Sequence, residues 1–328
     1  MNENPVTIIV TGRNSETTIR DCLRSLIGQD YPVDRIIVFD NGSSDGSVDI
    51  VRQAAAQSRV PVELVEAGPK GTISTSYNRG VRLAKTEIVV VCHSDCVVPT
   101  SGELRKLVAP FGDSSVLAAN PVMDMPRDVW LKFPFWQKVL FVNFVDRPMR
   151  SICAMFDAYR KSAYLQVGGF DEVRFTSACG FGGEDSDMAW RISKLGKTAD
   201  TEAQVHHVHA RSPQFSFESF LGTRAMLGRT YGKILQRQKV VCEFSNLLLL
   251  VRPALMLLPF LMIPIGVVPV LSALALQLLF GMAYARRAFL CREVWSDARV
   301  LVLPLVQWMM VYWEGFWFCH GLLTPPKK

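Results

Sequence analysis

Apolar positions in the first hundred residues follow two alternating patterns. Residues 6–11 (VTIIVT), 35–39 (RIIVF) and Glu87 to Cys92 (EIVVVC) are nearly continuous apolar runs, with a shorter one from Pro61 to Val65. Short unbroken runs of this kind predict strands buried on both faces. Between them the apolar spacing is helical. Ile19, Cys22, Leu23, Leu26 and Ile27 share one face of a helix predicted over 15–27, with Asn14 and Ser15 as capping side chains. Further helices are predicted from about Val48 to Gln57 and from Thr72 to Ala84. Strands alternating with helices at this spacing predict an α/β fold with a parallel sheet.

Beyond residue 115 the pattern loosens. Ser115 to Asn120 and 204–209 (QVHHVH) read as strands, and 184–195 (EDSDMAWRISKL) as a helix with Met188, Ile192 and Leu195 inward. Residues 128–145 are rich in aromatics with interleaved lysine. Residues 215–239 read as a basic amphipathic helix carrying Arg224, Arg229, Lys233, Arg237 and Lys239 among apolar residues. The tail divides at Pro264, Gly266 and Pro269 into two apolar stretches, Leu247–Ile263 and Val270–Ala285. Both fall slightly short of the ~20 residues of a simple span, so a hairpin is expected, crossing twice or dipping in and out. Val300–Leu323 is long enough for a further span, with Trp308, Tyr312, Trp313 and Trp317 as interface anchors.

Charge sharpens this division. The 42 residues from Phe244 to Ala285 hold one charged residue, Arg252, and the 24 from Val300 to Leu323 hold one, Glu314. Such a tail in a 328-residue chain implies membrane contact. The expected organisation is a catalytic domain over 1–212, an interfacial helix region over 213–243, and a membrane domain over 244–328, with the hairpin at about 247–285 and the span at about 300–323. Arg286, Arg287, Arg292 and Arg299 between the apolar stretches favour the cytosolic side, as do Lys327 and Lys328. The first residues show no basic segment followed by an apolar one, so no cleavable signal is expected and the N-terminal part is expected in the cytosol. A net charge of +6 without a clustered basic motif excludes a nucleic-acid partner. The eight cysteines show no metal-like spacing and read as small buried hydrophobes.

Carboxylates gather at the predicted strand ends, where open α/β sheets bind ligands. Asp40 ends the second strand in FDNGSSDGS, placed for a base or ribose or simply for a turn. Asp95 follows EIVVVC and is placed to hold a divalent cation against phosphates. Glu184 and Asp185 start a helix, where acids either cap or act as a general base. VHHVHARS holds three of the five histidines, and in a strand His207 and His209 would share a face while His206 takes the other.

The order of these segments resembles family 2 glycosyltransferases, which have the GT-A fold. The resemblance covers roughly residues 5–212. It rests on VTIIVTGRNSETTIRDCLRSLIGQDYP, IIVFDNGSSDGSVDIV, GTISTSYNRGVRLAKTEIVVVCHSDCVVP, GGFDE and GFGGEDSDMAWRISKLGK in that order. It implies a Rossmann-like mixed sheet with C-terminal transmembrane helices. Thr11, Arg13, Asn14 and Glu16 would line the nucleotide pocket, Asp40 would bind the base or ribose, and Gly71 and Asn78 would shape the floor under the diphosphate. Ser94 and Asp95 would meet the diphosphate, Asp95 through Mg²⁺ or Mn²⁺, with His209 or alternatively His207 as a further metal ligand. Asp185 would deprotonate the acceptor, with Glu184 beside it. Two departures stand out: the family's DxD reads His93-Ser94-Asp95, and Gly12-Arg13 replaces a common Thr-Tyr. There is no QxxRW, which disfavours a processive cellulose- or hyaluronan-type synthase.

The expected activity is inverting transfer of a sugar from a UDP- or GDP-linked donor to a polyprenyl-linked glycan or polysaccharide intermediate at the cytosolic face of the cell (inner) membrane, the chain being multi-pass. Direct transfer to a polyprenyl phosphate, as in dolichyl-phosphate-type enzymes, and an inactive membrane scaffold are the alternatives. Trp130 and Trp136, with Phe133 and Phe135, are expected at the lipid headgroups on the acceptor side, and Arg224 and Arg229 at lipid phosphates.

Overall fold

The computed structural model describes residues 4–175, 183–209, 214–238 and 250–325. These residues form two compact units: Met1–Val129 with Phe144–Gly180 and Glu184–Arg211, and Trp130–Asn143 with Phe181–Gly183 and Ser212–Lys328.

The first unit is built on a mixed sheet. Its strands are β1 (Val6–Gly12), β2 (Val33–Asp40), β3 (Val62–Glu66), β4 (Ile88–His93), β5 (Cys96–Val97), β6 (Val116–Asp124), β7 (Met149–Arg150), β8 (Asp157–Arg160) and β9 (Lys197–His207). They lie in the order β3-β2-β1-β4-β8-β6-β9-β5, with β7 on β6. The apolar runs become β1, β2 and β4, parallel to one another. Along β1, Val6, Ile8 and Val10 face one apolar core and Ile9 faces the other. That double burial explains why the runs lack polar alternation. The chain leaves β1 on one side toward β2, and β4 pairs on the other. This is a topological switch point, where the carboxyl ends of strands open a crevice.

Helices α1 (Ile19–Ile27), α2 (Ser47–Gln57) and α3 (Ile73–Leu83) fall where expected. Helix α3 is capped reciprocally by Thr72 and Thr75. Helix α1 starts later than expected, after Thr18, because Asn14 takes a positive φ and turns its side chain toward the β2 loop. Helix α4 (Glu103–Val108) follows β5, then α5 (Arg127–Leu131), α6 (Phe135–Phe141), α7 (Lys161–Gln166) and α8 (Glu184–Leu195). Strand β9 begins seven residues before the expected one, since its half-exposed polar stretch pairs with β6.

The second unit joins α6 and α9 (Phe217–Gln238) to the tail helices Val251–Met262, Val267–Tyr284 and Leu303–Leu323. Helix Val267–Tyr284 and the segment Ala298–Leu323 are long and apolar enough to cross a membrane, while Val251–Ile265 is shorter. Gly266, at φ +133°, turns the chain between the first two. Residues 247–249, where the hairpin was expected to begin, and 239–243 lie outside the described residues.

Two expectations for this region are corrected. Trp130 and Trp136 do not face outward: Trp130 is fully buried and its indole N–H donates to the Lys138 carbonyl (3.0 Å). Trp136 packs on Phe135, Phe217 and Phe220. Aromatic packing therefore draws residues 130–143 into the second unit instead of the catalytic domain. Helix α9 is not a free surface helix either, since one face packs on the tail. Its Gly228 and Gly232 meet Glu314 and Phe318 of the last tail helix, and Gly321 there meets the Arg229 backbone, so the two backbones touch. Arg224 is buried and paired with Glu314, and Arg229 is half-buried in the same seam.

A Cβ at Gly232 would collide with the Phe318 carbonyl, backbone against backbone. Gly232→Leu should lower stability of the full chain in detergent by about 1–3 kcal/mol or more, the usual cost of overpacking. An unchanged thermal melt would show that the helices do not pack through this seam.

Candidate active site

The carboxyl ends of β1, β2 and β4 carry the chemistry. Gly12 lies opposite Asp40, and Thr11 opposite His93. The two following loops are laced together. The Asn14 N–H donates to Ser43 Oγ (2.8 Å) and Asn14 Oδ1 accepts from the Ser44 N–H (2.9 Å). The Ser15 N–H donates to Ser47 Oγ (2.8 Å) and the Glu16 N–H to Asp45 Oδ2 (3.0 Å). Glu16 in turn accepts from the Gly46 N–H (3.3 Å). Ser15 and Ser94 share a hydroxyl hydrogen bond of 2.6 Å, and a Cβ at position 12 would strike both side chains. Glycine at 12 is therefore a packing requirement of this loop.

The expected nucleotide-side residues divide by how they are engaged. Asp40 accepts from the N–H groups of Gly42 (3.1 Å) and Ser43 (3.0 Å) and from the Ser43 hydroxyl, so its carboxylate closes its own turn. Thr11 and Ser94 are buried, and Thr11 Oγ1 accepts from Asn41. Arg13 is exposed, and its guanidinium has no partner among the described residues. Gly71 leaves room for the Asn41 side chain. Asn78 is fully engaged: Oδ1 accepts from the Tyr164 hydroxyl (2.6 Å) and the Phe170 N–H (2.9 Å), and Nδ2 donates to the Phe170 carbonyl (2.8 Å) and Glu172 (2.7 Å). With all four sites used, it pins the GGFDE loop and has nothing left for a phosphate.

Asn41 was missed. It is buried, donates to Thr11 Oγ1 (2.9 Å) and accepts from the Ser76 hydroxyl (2.7 Å), tying β1, β2 and α3 together. An Asn-Gly pair reads as a turn in sequence, so its signal was masked.

The strongest convergence surrounds Asp95. Antiparallel pairing of β5 with β9 sets Cys96 opposite His207. Asp95 Oδ2 then lies 3.2 Å from His207 Nε2 and 3.8 Å from His209 Nδ1. His209 is past the strand end at φ +38°, and its ring centroid is 3.5 Å from that of His207. His206 faces elsewhere and bonds Asp124. One ligand atom each from His93, Asp95 and His207 lies within 4.8 Å of the others. His93 stacks on Tyr77 at 6.1 Å, and its Nε2 is buried without a hydrogen-bond partner. The histidine that breaks the DxD pattern is thus a candidate metal ligand itself, beside His207 and His209.

Electrostatics suit a cation. Burial alone would raise the Asp95 carboxyl, but His207, His209 and His93 outweigh it and hold it well below the ordinary carboxylate range. Burial pushes His93 down to about 4, aided by His207 and opposed by Asp95, and burial likewise lowers His209. Neutral imidazoles beside an ionised carboxylate, one imidazole nitrogen being buried and unpartnered, fit a divalent metal.

Helix α8 begins at Glu184, which is buried, and Asp185, which is half-buried. The glycine-rich approach, residues 176–182, lies outside the described residues. Burial raises the Asp185 carboxyl. A second acid, Asp157, was also missed. It opens β8 opposite Val91, two residues before His93 on β4. It accepts from the N–H groups of Cys153 (2.9 Å) and Ala154, while its Oδ1 has no partner. Burial, reinforced by Asp185, pushes it up to about 8.

A Rossmann-like sheet with a switch-point crevice and an Asp–His cluster defines a GT-A-type architecture. Residues 7–167 match the family described as glycosyl transferase family 2, and this part of the chain is a glycosyltransferase domain of that family. It is 24% identical over 238 residues to an O-antigen chain rhamnosyltransferase of Salmonella typhimurium, covering 66% of this chain and 71% of that one. It is 21% identical over 196 residues to a poly-β-1,6-N-acetyl-D-glucosamine synthase of Staphylococcus epidermidis, covering 57% of this chain but only 45% of that one. Among solved structures, a mannosyltransferase from Pyrobaculum calidifontis, in complex with GDP-mannose and Mn²⁺, shares the fold. The TM-score is 0.59 at 21% identity, over 98% of this chain and 88% of that one.

Asp157 gives a pH test. Its folded pKa is raised, so the native state binds the extra proton and stability falls as pH climbs from the ordinary carboxylate range through about 8. Asp157→Asn should flatten that fall, so thermal melts between pH 5 and 8 should lose most of their slope. Parallel slopes in both proteins would mean that Asp157 is ionised when folded.

Proposed function

We propose that this glycosyltransferase moves a sugar, with inversion, from a UDP- or GDP-linked donor to a hydroxyl of a polyprenyl-linked glycan at the cytosolic membrane face. The convergence of His93, His207 and His209 on Asp95 at the switch-point crevice carries this reading. The laced loops over 12–16 and 40–47 would hold the nucleoside beside exposed Arg13, whose guanidinium plane can stack on a base. Asp40 and Asn41 would keep those loops in shape, and Thr11, Ser94 and Gly71 would wall the crevice.

Asp95, His93 and His207, with His209 at its edge, would hold Mg²⁺ or Mn²⁺, which when bound neutralises charge on the leaving diphosphate. An imidazole-rich donor set favours Mn²⁺ over Mg²⁺. Asp185 would receive the acceptor proton at its carboxylate as the oxygen attacks the anomeric carbon in line and the bond to the diphosphate breaks. Its raised proton affinity suits a base working near neutral pH. Glu184 and Asp157 would set the field around it.

The O-antigen and poly-N-acetylglucosamine relatives support a saccharide-chain acceptor. The two long apolar helices support a membrane-bound enzyme, and the arginines between them support the cytosolic side.

Asp95→Asn should cut turnover at least ~100-fold, the order of loss for one transition-state electrostatic contact, and should weaken Mn²⁺ binding. Full activity in excess EDTA would overturn the metal assignment. Asp185→Asn should lower kcat by on the order of 10²–10⁴ while donor affinity stays close to wild type. A variant that loses nucleotide-sugar affinity but keeps kcat would assign Asp185 to donor binding instead.

A further inference from the structure

We infer that the second unit holds a binding site for the phosphate group of a membrane lipid, built around Arg224 and Arg252. The inference rests on the proposed reading of a membrane-bound enzyme with a lipid-linked acceptor. The starting observation is a charge imbalance. Glu314 is the single acid of the last tail helix and its side chain is 2% exposed. Both Arg224 and Arg252 pair with it, one on each carboxylate oxygen. Among the described residues, two guanidiniums against one carboxylate leave one positive charge uncompensated inside a bundle of apolar helices. Tyr284 receives part of that field, with the guanidinium carbons of Arg224 and Arg252 5.3 and 4.2 Å from its ring centroid. A neutral ring does not cancel a charge. Ionisable groups at such positions are costly to keep and mark ligand sites.

The second observation is a set of unpartnered polar groups on one recess. Arg224 lines it, and its Nε is buried without a hydrogen-bond partner. Asn143 and Gln307 also line it, and their side-chain amides have no partner among the described residues. These groups offer N–H donors toward one space and bring no anion to it. The rest of the wall is apolar, with Val139, Leu140 and Ala288. An excess cation, neutral donors and an aliphatic wall match a phosphate attached to a hydrocarbon chain. They do not match a sugar, which brings no charge, or a bare fatty chain, which would leave three donors unpaired. A phosphate accepts from Arg224 Nε and from both amides, and its charge balances the Arg–Glu–Arg cluster.

The experiment uses the full chain in detergent, loaded with lipid and read by native mass spectrometry. A long-chain polyprenyl phosphate, phosphatidylglycerol, phosphatidylcholine and inorganic phosphate are the four probes. The two anionic lipids should be retained over phosphatidylcholine. Preference for polyprenyl phosphate would assign the site to the acceptor carrier, and equal retention to bulk anionic lipid. Arg224→Gln should weaken retention about tenfold or more, the loss of one charge-assisted hydrogen bond. Asn143→Ala and Gln307→Ala should each weaken it a few-fold and leave the ion cluster whole. Glu314→Gln should strengthen retention, because it raises the excess positive charge from one to two; a purely structural cluster would lose lipid in both charge variants. Retention no better than phosphatidylcholine, or unchanged on Arg224→Gln and both amide variants, would overturn the inference. The readout needs no turnover. Lipid retained without sugar transfer to a lipid-linked glycan would sink the proposed acceptor while leaving the site standing.

Discussion

The contact between Asp95 and His207 joins residues 112 positions apart, and much of the candidate site depends on it. It exists because β9 runs beside β6 and reaches β5, setting Cys96 against His207. Without that pairing Asp95 would be a half-buried carboxylate with His93 alone of the three imidazoles near it. With it, His207, His209 and His93 stabilise the ionised form, while burial holds the His93 and His209 rings toward neutrality. The sheet and the site thus support each other: strand pairing assembles the donors, and the donors relieve the cost of burying the strand end.

The same economy appears at the nucleotide-side loops. Polar residues after β1 and β2 would be expensive next to two apolar cores if left unpaired. They are satisfied against one another, through Asn14 with Ser43 and Ser44, Ser15 with Ser47 and Ser94, and Asn41 with Thr11 and Ser76. Arg13 is exposed beside them, its guanidinium without a partner among the described residues. A crevice whose walls are internally satisfied and whose rim carries such a guanidinium is preorganised for a planar or anionic ligand.

In the second unit, charge and packing are coupled differently. Glycines on α9 and on the last tail helix let two backbones touch, and that closeness brings Arg224 onto Glu314. A helix that reads as basic and amphipathic by itself is therefore an internal partner of the tail. Its Arg224 is buried against the one acid the last tail helix has to offer, within a stretch otherwise nearly free of charge.

The sequence by itself determined the elements. Unbroken apolar runs, a period of 3.6 and turn residues are local signals, and local sterics and burial read them out, so β1 to β4, α1 to α3 and α8 fell near their expected places. It also marked Asp95, Asp185 and the histidine segment as chemistry, because polar groups at strand ends and helix starts are placed by the backbone alone. Only the tertiary structure decided partners. His93 looked like a lost carboxylate until its ring was seen beside Asp95 and His207. Asn78 was expected to shape the floor under the diphosphate, and only the fold shows it held by four hydrogen bonds from Tyr164, Phe170 and Glu172. Trp130 and Trp136 looked lipid-facing because a local pattern says which residues share a face, not what covers that face. Which surface a side chain meets depends on pairings between residues far apart in the chain, and those are settled by packing the whole fold.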